Sequence, residues 1–198
     1  PMKEALIIFV RNPELGKIKT RLAAGIGNEK ALRVYEHLLL HTRKIAEEVP
    51  VTKFIFYADY INDNDLWNSF EKRLQTGDGL GARMNTAFNY LFSEDFTNVC
   101  IVGSDCYELT SDIIKQAFDQ MKTNDVVIGP VLDGGYYLLG MNKMIPQLFI
   151  NKTWSTDTVF SDTLEDVAKL NLTVHQLSML SDIDNENDLH NSGLAYFV

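Results

Sequence analysis

The chain has 198 residues, 45% of them hydrophobic and 23% charged, with a formal net charge of −9. That is the profile of a water-soluble globular protein with room for a sizeable core. The acidic balance argues against a broad nucleic-acid surface, which needs clustered Lys and Arg. No apolar run approaches the roughly 20 residues of a membrane helix, and no basic-then-apolar leader opens the chain, so a cytoplasmic location is expected.

Pro1 ahead of Met2 reads as a cloning remnant. The run "EALIIFV" (4–10) is almost continuously apolar, as expected of a strand covered on both faces. From Lys30 to Val49, the residues Leu32, Tyr35, Leu38, Leu39, Ile45, Ala46 and Val49 form one stripe of an amphipathic helix. "TKFIFYA" (52–58) reads as a second strand, followed by a polar stretch. Leu80, Met84, Ala87, Phe88, Leu91 and Phe92 recur at helical spacing, and the strand "NVCIVG" (98–103) comes next. Ile113, Ile114, Ala117, Phe118 and Met121 predict another helix, with Thr110 or Ser111 as its cap.

"DVVIGPV" (125–131) and "YYLLGM" (136–141) are two further strands around the turn "LDGG". A helical pattern covers Asp157 to Leu170, "LTVHQL" (172–177) reads as the last strand, and "NENDLH" opens a short closing helix. Strands alternating with helices, without linker or repeat, predict one α/β domain over residues 1–198: three layers, with a mostly parallel sheet between helices.

In open parallel sheets, ligands bind beyond the carboxyl ends of the strands. Asp105 stands at such an end, just after Ser104. The first strand runs into "RNPELGKIKTRLAAGIG" (11–27), which gathers Arg11, Lys17, Lys19 and Arg21 around Gly16 in an otherwise acidic chain. Glycine lets backbone amides approach a phosphate, and the cations neutralise it. The segment is not a Walker loop, because Arg11 replaces the upstream glycine and Ile18 follows Lys17. A second glycine-rich stretch, "QTGDGLGARMNTAF" (75–88), fails the dinucleotide fingerprint because Gly77, Gly79 and Gly81 are spaced two and two. Its helix start can face an anion or a nucleobase, with Gln75 on a base edge and Arg83 adding charge.

Asp133 sits in a turn before Gly134 and Gly135, which leave room for a ligand or simply favour a hairpin. In "SDIDNENDL", Asp182 and Asp184 flank Ile183, so extended backbone points both carboxylates one way. Magnesium characteristically takes one or two carboxylates plus substrate phosphates and waters, a minimum that Asp105 and Asp184 can supply. Cys100 and Cys106 read as reduced thiols. The four histidines form no metal-binding pattern.

Taken together, "PELGKIKTRL", "GDGLGARM", "GSDCYELT", "GPVLDGGYYLLG", "WSTDTV" and "DIDNENDL" resemble the radical-SAM/selenodomain-associated transferase family, first type. That is a bacterial, glycosyltransferase-like group in the nucleotide-diphospho-sugar transferase (GT-A) superfamily. Tyr107 departs from the family's usual Pro, and Gly79 and Ala82 from its acidic positions.

The resemblance implies a GT-A, Rossmann-like fold and a metal-dependent transferase using a nucleotide-diphospho-sugar donor and a small-molecule acceptor. It implies phosphate contacts at Lys17, Lys19 and Arg21, and Mg²⁺ or Mn²⁺ held by Asp105 with Asp184. Lys19, Arg21 and Asp133 become the catalytic candidates, with Asp133 as general base. Ser104, Asp182, Gly134, Gly135 and Trp154 flank the metal or acceptor side. Molybdenum-cofactor and phospholactate guanylyltransferases are similar in fold and metal placement, so a nucleotidyltransferase releasing pyrophosphate is the alternative. A non-catalytic nucleotide-binding protein is the further alternative.

Overall fold

The computed structural model describes residues 2–197; Pro1, read above as a cloning remnant, lies outside them. Seven strands form one sheet in the order β3-β2-β1-β4-β6-β5-β7. They are β1 (Glu4–Val10), β2 (Thr52–Tyr57), β3 (Glu71–Leu74), β4 (Asn98–Val102), β5 (Val126–Pro130), β6 (Tyr136–Met141) and β7 (Val174–Gln176). Every pairing is parallel except the two made by β6, which runs antiparallel to β4 and β5. The mostly parallel α/β expectation therefore holds, with one reversed strand.

Alternation along the strands feeds two cores. Leu6, Ile8, Ile55, Cys100 and Val102 pack on one face with α2 (Asn28–Glu47) and α4 (Ser111–Gln120). Ala5, Ile7, Phe54, Val99 and Ile101 pack on the other with α3 (Leu80–Ser93) and α5 (Val159–Lys169). Strands covered on both faces have no polar side to show, which is why they read as apolar runs.

A third, smaller core joins Leu22, Ala31, Val34, Leu38, Ile183, Leu189 and Leu194. It seats α1 (Thr20–Ile26) and α6 (Glu186–His190) against α2. Thr110 caps α4 through Ile113 N, and Asn185 caps α6 in a reciprocal box with Asp188.

One α-helix and one strand escaped the sequence pattern. The first loop contains α1, whose N-cap is Lys19 in the left-handed region (φ +49°) without a side-chain cap. The polar stretch before α3 contains β3, an edge strand reading "EKRL". Charged edge strands resist edge-to-edge pairing and hide their strand character. The last strand is also shorter than expected, Val174–Gln176.

Candidate active site

Six strands point their carboxyl ends to one edge of the sheet, and the β5–β6 hairpin places its turn there too, with Pro130 opposite Tyr136. A cleft of about 940 Å³ opens along that edge. One wall carries Lys19, Arg21, Asp105, Asp182 and Asp184; the opposite wall carries Leu80, Arg83, Tyr136 and Trp154 to Asp157. Arg11, Gln75, Ser104, Asp133 and Gly135 also line it.

The chain brings remote segments together here through backbone ties. Ile183 N donates to Asp105 O at 2.9 Å, and Ser181 N donates to the Glu108 carboxylate at 2.8 Å. Leu132 N and Leu180 N bond Leu180 O and Pro130 O, continuing the β5–β7 register beyond the strands. Ile183 is fully buried, so Asp182 and Asp184 emerge on either side of it into the cleft, as their alternation predicts.

Lys19 is the hub. Its Nζ lies 2.8 Å from Asp105 Oδ1, 3.2 Å from Asp184 Oδ1 and 2.6 Å from Ile183 O. Its side chain is only 6% exposed, whereas that of Asp105 is 41% exposed. Burial works against the ammonium, but Asp105 and Asp184 outweigh it and hold its pKa above the ordinary lysine value. Arg21 reaches Asp184 Oδ2 at 3.4 Å from an exposed position. Burial, reinforced by Asp105 and Asp184, raises Asp182 well above the usual carboxylate range.

Tyr35 was read only as helix core, yet its hydroxyl accepts from Arg11 N at 2.9 Å and lies 3.3 Å from Ser104 Oγ. It thereby pins the ends of β1 and β4, and burial pushes its phenol up to about 12. Nothing in its spacing separates it from Leu38 or Leu39 as a stripe residue. Asp157 also lines the cleft, inside "WSTDTV", where the helical pattern that it opens gives no sign of a site position.

Asp133 caps its own turn, with Oδ1 accepting from Gly135 N at 3.0 Å and Oδ2 lacking a protein partner among the described residues. Gly134 has φ +95°, and a Cβ there would lie 2.0 Å from Asp157 O. Only glycine lets this turn meet the Asp157 backbone. Trp154 packs against Gly81, joining its loop to the start of α3.

Other expectations fall elsewhere. Lys17 is 72% exposed, pairs with Glu14 and is not among the cleft residues. Gly16 and Gly77 are positive-φ turn residues that also lie outside the lining. Gln75 lines the cleft, but its amide donates to Val10 O and Phe56 O, fastening β1 to β2, so those hydrogens are not free for a base edge. Arg83 bonds Gly77 O at 3.3 Å from the cleft wall. Both cysteines are buried free thiols, and burial raises Cys106 to about 12, so neither is poised as a nucleophile.

The donor set can be tested against a divalent ion. Its oxygens are hard carboxylate ligands, and the ammonium of Lys19 already shows a positive charge accommodated between Asp105 and Asp184. Among the described residues, no group of three or more His, Cys, Asp or Glu can hold a metal by itself. That fits magnesium-type binding, where a couple of carboxylates act together with substrate oxygens.

Against known proteins, the family model "Uncharacterized protein conserved in bacteria (DUF2064)" matches residues 41–156, and the chain belongs to that family. The match includes Asp105, Asp133 and Trp154 but neither Lys19 nor Asp184. No curated protein matches the chain. A solved structure from Desulfovibrio desulfuricans G20, provisionally named a nucleotide-diphospho-sugar transferase, superimposes with TM-score 0.87 at 27% identity, covering 100% of this chain and 94% of that one. CMP:2-keto-3-deoxy-manno-octonic acid synthetase complexed with CTP aligns at TM-score 0.62 and 8% identity, over 96% of each chain. Rv0371C of Mycobacterium tuberculosis H37Rv in complex with manganese aligns at 0.59 and 11%, over 96% of this chain and 97% of that one. The fold is thus the one shared by nucleotide-diphospho-sugar transferases and nucleotidyltransferases. Among the described residues, no helix is long and apolar enough to cross a membrane.

Proposed function

From that membership and the geometry of the cleft, we propose that residues 1–198 form one domain of a cytoplasmic, metal-dependent transferase that uses a nucleotide-diphospho-sugar donor. This reading places it with the radical-SAM/selenodomain-associated transferases, which its motifs resemble. The observation that carries it is the meeting of Lys19, Asp105 and Asp184 at the carboxyl edge of the sheet.

In this reading, Arg11, Lys19 and Arg21 receive the donor's diphosphate. Asp105 and Asp184 would hold Mg²⁺ or Mn²⁺, and that charge would stabilise the departing diphosphate. Asp133 takes the proton of an acceptor hydroxyl through its unpartnered Oδ2 while the sugar–phosphate bond breaks and the acceptor oxygen bonds the sugar carbon. Tyr35 and Ser104 keep Arg11 and Asp105 in register. Trp154 and Tyr136 supply apolar surface against a sugar or acceptor.

Charge distribution favours sugar transfer over nucleotidyl transfer to a phosphorylated acceptor. The cleft's cations, Arg11, Lys19, Arg21 and Arg83, come from the β1–α1 segment and α3. Asp133 and Asp157 stand on the β5–β6 turn and the loop before α5, where among the described residues no Lys or Arg lines the cleft to meet a second phosphate. The likeness to a CTP-bound synthetase keeps the nucleotidyl alternative worth a direct test.

Incubation with Mn²⁺ and panels of nucleotide sugars and nucleoside triphosphates separates the two. Sugar transfer yields nucleoside diphosphate and no pyrophosphate, and D133N slows it about 10²–10⁴-fold. Pyrophosphate release from a triphosphate overturns sugar transfer, and full activity in D133N removes Asp133 from the role of base.

A further inference from the structure

The metal reading above requires Asp105 and Asp184 to face a divalent ion, yet an ammonium already stands between them. The Lys19 ammonium donates to Ile183 O and Asp184 Oδ1 and pairs with Asp105 Oδ1 at 2.8 Å. Asp184 Oδ2 is engaged by Arg21. Of the four carboxylate oxygens, Asp105 Oδ2 is the one without a protein partner among the described residues. A divalent cation and the Lys19 ammonium cannot both sit at coordination distance from this carboxylate pair without strong repulsion.

We propose that Lys19 is the resident counter-ion of the Asp105–Asp184 pair, and that it must leave this position for a divalent cation to bind. This rests on the metal-dependent reading and specifies how that site is regulated: metal affinity is conditional on a new partner for Lys19. A donor diphosphate is such a partner, because Lys19 opens α1 beside Arg21, which already faces the cleft. Phosphate that draws Lys19 and Arg21 away frees both oxygens of Asp184. A cation on those oxygens in turn releases Lys19 toward phosphate. Coupling of this kind is reciprocal, so metal and diphosphate each strengthen the other's binding.

The backbone supports a displaceable contact. Lys19 sits at φ +49° and ψ +44°, a conformation uncommon for a residue with a side chain, and it precedes a helix without any side-chain cap. Ile18 and Leu22 are buried on either side, so the chain stays anchored while the lysine side chain exchanges partners.

The test needs no turnover. Free Mn²⁺ is followed by electron paramagnetic resonance as it is titrated into the protein without nucleotide. K19M binds Mn²⁺ about tenfold more tightly than the parent, whereas K19R, which keeps the cation, stays near the parent. A second measurement uses the unaltered chain: acetylation of Lys19 by an N-hydroxysuccinimide ester, read by mass spectrometry, is low without metal and rises at Mn²⁺ concentrations that saturate the site. Equal or weaker Mn²⁺ binding in folded K19M overturns the inference while leaving the metal reading intact. So does Lys19 that stays protected at saturating Mn²⁺. Absence of Mn²⁺ binding in both parent and K19M, without and with a nucleoside diphosphate present, while nucleotide sugars still bind, overturns the metal reading and the inference with it.

Discussion

On one wall of the cleft, Lys19, Asp105 and Asp184 are brought together by contacts that join residues up to 165 positions apart. On the other, Leu80, Arg83 and the Trp154–Asp157 loop are held by packing on Gly81, a backbone meeting at Gly134 and short-range hydrogen bonds such as Thr156 to Thr153 O. In the proposed function, the first wall is the charged one, which would receive a donor's diphosphate and its cation. The second is shaped by side chains with few polar ties, and in the same proposal it is where a sugar or acceptor would be selected. Fixed chemistry and variable recognition are thus divided between the two walls. This division has consequences that substitutions can expose.

The largest stability effect should come from beneath the charged wall. Ile183 is buried between Asp182 and Asp184 and belongs to the small core that also holds α1. I183A should cost about 2–5 kcal/mol in denaturant unfolding through the cavity it leaves. It should also weaken donor binding, since both carboxylates and the Lys19 helix share that core. Normal donor binding in a destabilised I183A would mean that the wall does not depend on its packing.

The second wall hinges on Gly134. G134A forces a Cβ into the Asp157 carbonyl at φ +95° and should destabilise by about 1–3 kcal/mol. Its signature is selectivity: acceptor KM rises more than donor KM. Equal changes in both would erase the distinction between the walls.

A smaller, pH-dependent effect belongs to Asp182. Burial and its acidic neighbours raise its folded pKa, so the folded state favours the protonated form. That stabilisation is fully present below the unfolded carboxylate value and is lost as pH rises through the raised one. D182N, neutral throughout, should therefore gain stability relative to the parent as pH rises above the unfolded carboxylate value, and the advantage should vanish below that value. A difference independent of pH would remove this electrostatic account of Asp182.

The same contrast explains what was legible in the sequence. Strands buried on both faces announce themselves as apolar runs, and Ile183 between two aspartates foretells their common direction. Asp105 after β4 follows from the rule for parallel sheets. Strand β3 stayed hidden because an edge strand written Glu-Lys-Arg-Leu has no apolar signature. Helix α1 was masked by Gly25 within it, Gly27 at its end and a lysine at its cap. The basic cluster was visible as a cluster, but spacing alone could not separate Lys19, drawn inward by two distant carboxylates, from Lys17, which turns outward to Glu14. Tyr35 carries the pattern of a core residue, and its hydroxyl bridge exists only once α2 is laid against the ends of β1 and β4. Long-range pairing decides such cases, and no local periodicity encodes it.

The most direct measurement compares Mn²⁺-dependent release of nucleoside diphosphate from a nucleotide sugar by the parent, D105N and K17A, each checked for folding by thermal unfolding. If the charged wall is the reaction site, D105N falls about 10²–10³-fold, and K17A, outside the cleft, stays within about twofold of the parent. Retention of turnover by D105N, or an equal fall in both variants, would contradict the assignment.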